Sequence, residues 1–257
     1  MASLGSAVLL CFTGSNKIAA EDAQPKERLK YEEPKSLTGA IYATGSDQQK
    51  LLFRFKRQET RSGSTVRVVR DYTYPDGKPA AQEEIVYEGN NLASLIVREL
   101  QIGAEGSAKI RRTTDQTEGT IQFEYVKSPG SATKSRTEAL RENTLVGDMV
   151  GPFLADHWDA LMRGEKLKSR YIAVPRMETV GFTFLKDAGS NPQNAEAVSI
   201  RMEPTSRIIA AIVDPLYFSI EKAAPHRVLH YNGRTTPKLN VRGKWEDLDA
   251  TTVFDWK

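Results

Sequence analysis

The chain contains three histidines, His157, His226 and His230, the side chains best suited to acid-base or metal chemistry near neutral pH. In a strand, His226 and His230 point to one face but stand about 13 Å apart, beyond the reach of a single metal ion. His157 lies at helical spacing between Phe153 and Leu161, which makes it a packing residue beside an apolar stripe. The carboxylate pairs Glu83/Glu84, Asp156/Asp159 and Asp247/Asp249 read as solvated surface. Ser-x-x-Lys occurs at Ser131/Lys134 and Ser219/Lys222, but neither match opens a clear helix and the companion Lys-Thr-Gly is absent. Gly-rich phosphate loops, His-Glu-x-x-His and Gly-x-Ser-x-Gly are also absent from the sequence. No catalytic, metal or cofactor set emerges.

A ligand site is the remaining chemistry. Residues 175–179 interrupt strand-like sequence with charges, as either a bulge or a polar anchor at the mouth of an apolar cavity. With nearby aromatics as walls, the candidate binding residues are Trp158, Arg176, Glu178, Phe182 and Tyr217.

These side chains need a scaffold. The 257 residues are 39% hydrophobic, with 36 Lys and Arg against 33 Asp and Glu, which suits a folded chain with a sizeable core. The basic clusters Arg54, Lys56, Arg57, Arg61 and Lys109, Arg111, Arg112 read as a solvated outer face, so no nucleic-acid partner is expected. Residues 1–20 resemble a secretory signal peptide, with an apolar patch over 7–12 and a small-residue site at Ile18-Ala19-Ala20, although no Lys or Arg precedes the patch. The expected location is the bacterial periplasm. Cleavage removes Cys11, the lone cysteine, and with it all thiol chemistry. No later stretch offers the roughly 18 apolar residues of a membrane helix, so no transmembrane segment is expected in the mature chain.

Residues 21–38, charged and carrying Pro25 and Pro34, read as a flexible lead-in. A single β-rich domain is expected over 39–257, its halves (39–127 and 145–257) joined by a mobile loop at 128–144. The expected class is mainly β: a curved antiparallel sheet or barrel-like domain with one inserted amphipathic helix. In the first half, Leu51, Phe53 and Phe55 share a face, as do Val66, Val68, Tyr72 and Tyr74, and Pro75-Asp76-Gly77 turns the chain back toward Ile85. Runs at 92–101, 107–112 and 120–126 extend this meander. Pro152 suits a first helical position and Gly164 the position past the last, predicting a helix over about 152–163. Strands are expected at 166–174, 179–185, 197–202, 208–213, 217–221, 227–231 and 251–256. The run 208–213 lacks polar alternation and reads as a strand covered on both faces. Residues 72–89 and 217–233 echo each other, which fits either two related half-sheets or chance.

The segment 148–185, with Phe153, His157-Trp158, Leu161 and Gly164 followed by Arg176 and Glu178-Thr179-Val180-Gly181-Phe182, resembles an uncharacterised exported bacterial β-rich domain-of-unknown-function family. Asp214-Pro215-Leu216-Tyr217 and 227–233 carry the resemblance to residue 233. It implies an exported, barrel-like β domain without assigned catalytic residues. The expected function is non-catalytic binding or carriage of an apolar or amphipathic, lipid-like molecule. The alternatives are a cell-envelope interaction module, or a hydrolase whose site brings Asp214, Arg176 or a histidine together from distant positions.

Overall fold

A computed structural model of the chain describes residues 35–113, 119–187, 189, 195–211 and 214–256. The expected leader, Cys11 and most of the lead-in lie outside these residues. The first strand, Ser36–Ala43 (β1), begins within the expected lead-in and buries Leu37. The chain then meanders through Leu51–Ser62 (β2), Thr65–Thr73 (β3), Pro79–Glu88 (β4), Asn91–Glu99 (β5), Ala104–Arg112 (β6), Gly119–Val126 (β7) and Lys134–Ala139 (β8). A two-residue strand, Thr144–Leu145 (β9), leads into helices Gly147–Asp156 (α1) and Trp158–Met162 (α2). A second meander follows: Leu167–Ala173 (β10), Glu178–Lys186 (β11), Ala197–Pro204 (β12), Leu216–Glu221 (β13), Val228–Val241 (β14) and Lys244–Asp255 (β15). A short helix, Arg207–Ala210 (α3), separates β12 from β13.

The fifteen strands of the described residues form one sheet, in the order β8 to β1 and then β15 to β9. Pairing of β1 with β15 fuses the two halves, and every neighbouring pair is antiparallel except β9–β10. This topology dictates curvature. Laid flat, fifteen strands span about 67 Å. Yet edge strands β8 and β9 are separated in sequence by residues 140–143 alone, which reach at most about 18 Å. The sheet therefore curls until its edges nearly meet. Side chains bridge the seam: Glu138 of β8 accepts hydrogen bonds from the Thr179 backbone N–H (2.9 Å) and Oγ1 (3.0 Å) of β11. Beside it, Arg136 reaches Glu178 at 3.7 Å.

Period-2 alternation fills the concave face. Phe53 and Phe55 point inward from β2, Val66, Val68 and Tyr72 from β3, and Ile85 and Tyr87 from β4. Each fully buried large side chain of this kind contributes about 1.5–3 kcal/mol of transfer free energy. The turn at Pro75-Asp76-Gly77 forms as its residue types require. Gly77 adopts φ +88°, its N–H donates to the Tyr74 carbonyl (2.9 Å), and Asp76 Oδ1 accepts from the Lys78 N–H (3.1 Å). Gly106 serves close packing instead, since a Cβ there would lie 2.6 Å from Val174 Cγ1. Its bareness lets the 3-10 turn Val174–Arg176 seat against β6 and β7.

Five expectations are corrected. The helix starts at Gly147, with Pro152 inside α1, because ion pairs to Asp148 in its first turn anchor the chain earlier than Pro152 would. It also breaks at His157, making two helices. The loop 128–144 carries β8 and β9, which its Ser, Pro and Gly content concealed. Of the run 208–213, Ile208 and its neighbours form α3, with Ile208 81% exposed, and residues 212 and 213 lie outside the described residues. A short apolar run fits a strand and a helical turn equally well. Finally, β14 runs on to Val241, and a turn with Gly243 at φ +85° returns the chain into β15.

Candidate ligand cavity

Alternation places charges inside as well. Arg57 follows Phe53 and Phe55 on β2, Arg70 follows Val66 and Val68 on β3, and Glu83 precedes Ile85 on β4, all on the inward phase. The register aligns them as a row across three strands, Arg57 opposite Arg70 and Arg70 opposite Glu83. Arg57 is 2% exposed and Glu83 9%, so the expectation of solvated surface is wrong for both. It holds for Arg54 and Lys56, which point outward, and for Arg61, which is exposed near the end of β2. Two arginines directly opposed across a ladder repel. Asp148 resolves this: Arg57 Nε and Nη2 donate to its two carboxylate oxygens at 2.7 and 3.2 Å. Arg70 Nη2 donates at 3.1 Å and the Tyr87 hydroxyl at 3.1 Å. Burial favours the protonated acid, but the Arg57 and Arg70 charges, with the Tyr87 hydrogen bond, prevail and hold the Asp148 carboxyl below its ordinary range.

A second polar group arrives from β14. Its register slips between Thr235 and Lys238, around the buried Pro237, which cannot donate to a ladder. The bulge crosses the interior to β4 and β5. There Thr236 Oγ1 donates to Glu83, and Gln101 clasps the Lys238 backbone at its carbonyl (2.9 Å) and N–H (2.7 Å). Lys238 Nζ sits 3.2 Å from Glu99 and 2.6 Å from Asp247, and Tyr125 donates to Glu99 at 3.0 Å.

Between this polar belt and the apolar face of the second meander lies a cavity of about 430 Å³. Phe55, Ile85, Val180, Phe182 and Phe218 supply much of its apolar wall, and Ile209 of α3 reaches it too. Arg70, Glu83, Asp148, Tyr72 and Tyr171 furnish the polar end. Burial, foremost, raises the Tyr72 and Tyr171 phenols far above their ordinary values, so both remain neutral O–H groups. The cavity meets solvent at a charged rim, where Arg176 is 51% and Asp247 57% exposed at the side chain.

Of the residues proposed from sequence, Phe182 and Arg176 line this cavity. Glu178 does not; it pairs with Arg176 Nε at 2.6 Å outside the rim. Tyr217 points to the opposite face of β13 from Leu216 and Phe218, which do line the cavity, so the expectation was one residue out of phase. Trp158 packs away from the cavity, stacked on His226 with ring centroids 4.0 Å apart. His157 bonds the Phe153 carbonyl through Nδ1 (2.9 Å) as a packing residue. The three histidines and Asp214 stand apart from the cavity lining, leaving Arg176 as the residue of the distant-site hypothesis that reaches it.

Sequence reading missed Arg57, Arg70, Glu83, Asp148 and Lys238. For the first three a signal existed, a charge on the apolar phase of an alternating strand. Pro237 within strand-like sequence marked the bulge. Nothing local announces Asp148, whose arginine partners are 91 and 78 residues away. Compared with known proteins, the chain matches no family model, no curated protein and no solved structure.

Proposed function

We propose that this protein is a non-catalytic binder or carrier of a small apolar or amphipathic molecule held within the curled sheet. The observation that carries this reading is the roughly 430 Å³ cavity, within the size range of small-molecule sites and built as they are, with apolar walls and a few convergent polar groups. An open rim and a side-chain seam, rather than a closed ladder, suit exchange of contents. The ionisable groups around the cavity hold one another in ion pairs, an arrangement that fixes geometry rather than poising a group for proton transfer. An exported, periplasmic location is part of the proposal and rests on the composition of residues 1–20.

Native mass spectrometry of detergent-free protein, before and after solvent extraction, tests the reading. A discrete adduct removed by extraction and restored by adding back the extract supports it. Identical masses throughout, with no uptake of an added amphiphile, oppose it. Cell fractionation with N-terminal sequencing tests the location: a cytoplasmic protein with residue 1 intact rules export out.

A further inference from the structure

Every charge lining the cavity already has a partner. Arg70 is paired with Asp148 (3.1 Å) and Glu83 (3.5 Å), and Lys238 with Glu99 and Asp247. At the rim, Arg234 reaches Asp247 (2.7 Å) and Asp249 (2.9 Å), and Arg176 pairs with Glu178. These four cations are matched by the four lining anions Glu83, Glu99, Asp148 and Asp247. An anionic headgroup would find no uncommitted cation, and a cationic one no uncommitted carboxylate. A further buried ion would lie uncompensated or break an existing pair, and both are strongly disfavoured.

The neutral polar groups are arranged differently. The Gly147 N–H lies beside the Tyr171 hydroxyl, and Thr236 and Arg70 lie beside the Tyr72 hydroxyl. A backbone N–H offers the Tyr171 hydroxyl no acceptor, so its proton is available to the cavity it lines, and the Tyr72 hydroxyl lines the same cavity. An uncharged oxygen acceptor on the ligand satisfies them.

Resting on the binding reading above, we infer that the ligand is a neutral, single-chain amphiphile, its hydroxyl, ester or carbonyl oxygen at Tyr72 and Tyr171 and its hydrocarbon against Phe182 and Phe218. At about 30 Å³ per water-sized unit, 430 Å³ accommodates on the order of fifteen heavy atoms, a chain of medium length.

The test is displacement of N-phenyl-1-naphthylamine, a neutral fluorescent amphiphile, from delipidated protein at pH 7.5. Dodecanol, dodecanoate and dodecylammonium serve as competitors of one chain length. The inference expects dodecanol to displace the probe at about tenfold lower concentration than either ion. If an ion competes as well as the alcohol, the neutral-headgroup inference is overturned while the binding reading stands. If the probe itself is not taken up, the binding reading falls with it. Tyr72→Phe and Tyr171→Phe, made separately so that one misfolded variant does not decide the matter, each lower the preference for dodecanol over dodecane severalfold. An unchanged preference in both folded variants overturns the assignment of the headgroup to the phenols.

Discussion

Asp148→Asn is the most informative single substitution in this protein. The carboxylate accepts hydrogen bonds from three side chains, Arg57, Arg70 and Tyr87, and screens two arginines that face each other across β2 and β3. Asparagine keeps one acceptor oxygen but turns an N–H₂ donor toward guanidinium donors, so Arg57, 2% exposed, loses the carboxylate it meets at 2.7 Å and keeps Glu59 at 3.4 Å. Removing one partner of a buried pair costs about 3–5 kcal/mol, against about 5–15 kcal/mol for a whole domain. With a denaturant slope of about 3 kcal/mol per molar urea, the midpoint falls by about 1–2 M. Equilibrium urea unfolding measures this directly. Adding Arg57→Met in the Asp148→Asn background recovers part of the loss, because the excess buried positive charge is gone. The effect also depends on pH. The Asp148 carboxyl is depressed in the folded state, so its contribution is fully present above the unfolded carboxylate value of about 3.9 and is lost as pH falls through the folded value. Wild-type protein therefore loses stability on acidification below about pH 4, and Asp148→Asn lacks that component. A midpoint shift under about 0.3 M, with unchanged acid sensitivity, would refute the view that this cluster clamps α1 to the sheet.

Other consequences follow from the same geometry. Val180→Phe fills cavity space, so in delipidated protein thermal denaturation should find it neutral or modestly stabilised, while fluorescence titration finds amphiphile uptake greatly reduced. Glu138→Ala leaves the Thr179 N–H without its acceptor, and hydrogen exchange should show faster opening of the seam, with a loss of about 1–3 kcal/mol. Trp158→Ala removes the stack on His226 and lowers the melting temperature but leaves probe affinity unchanged, because Trp158 is not part of the cavity wall. Burial lowers the His230 value below the ordinary 6.5. Stability therefore declines as pH falls below about 6.5, a slope that His230→Gln removes in pH-dependent unfolding.

The sheet was largely legible because period-2 alternation is a local signal: β2, β3 and β4, with the Pro75-Asp76-Gly77 turn, stand where their residue types place them. The fusion of two meanders through β1 and β15 was not, since pairing between residues 38 and 255 leaves no trace in either segment. Likewise α1 begins where a long-range ion pair holds it, overriding the preference of Pro152 for a first turn. The site divides in the same way. Phe182 lies on the cavity wall, as an inward aromatic on a clear strand, whereas Tyr217 stands one step of strand phase away from it. The polar belt required pairing Arg57 with Asp148, and Lys238 with Glu99, across 91 and 139 residues, which only the folded topology supplies.

The central claim is that the interior of the curled sheet holds an amphiphile. A crystal of the protein soaked with a bromine-terminated medium-chain alcohol tests it most directly, because anomalous scattering locates the bromine without reference to any prior interpretation. The account predicts a single bromine peak inside the cavity, among Phe55, Phe182 and Phe218. A cavity free of bromine at saturating alcohol, or peaks confined to the outer surface, would contradict it.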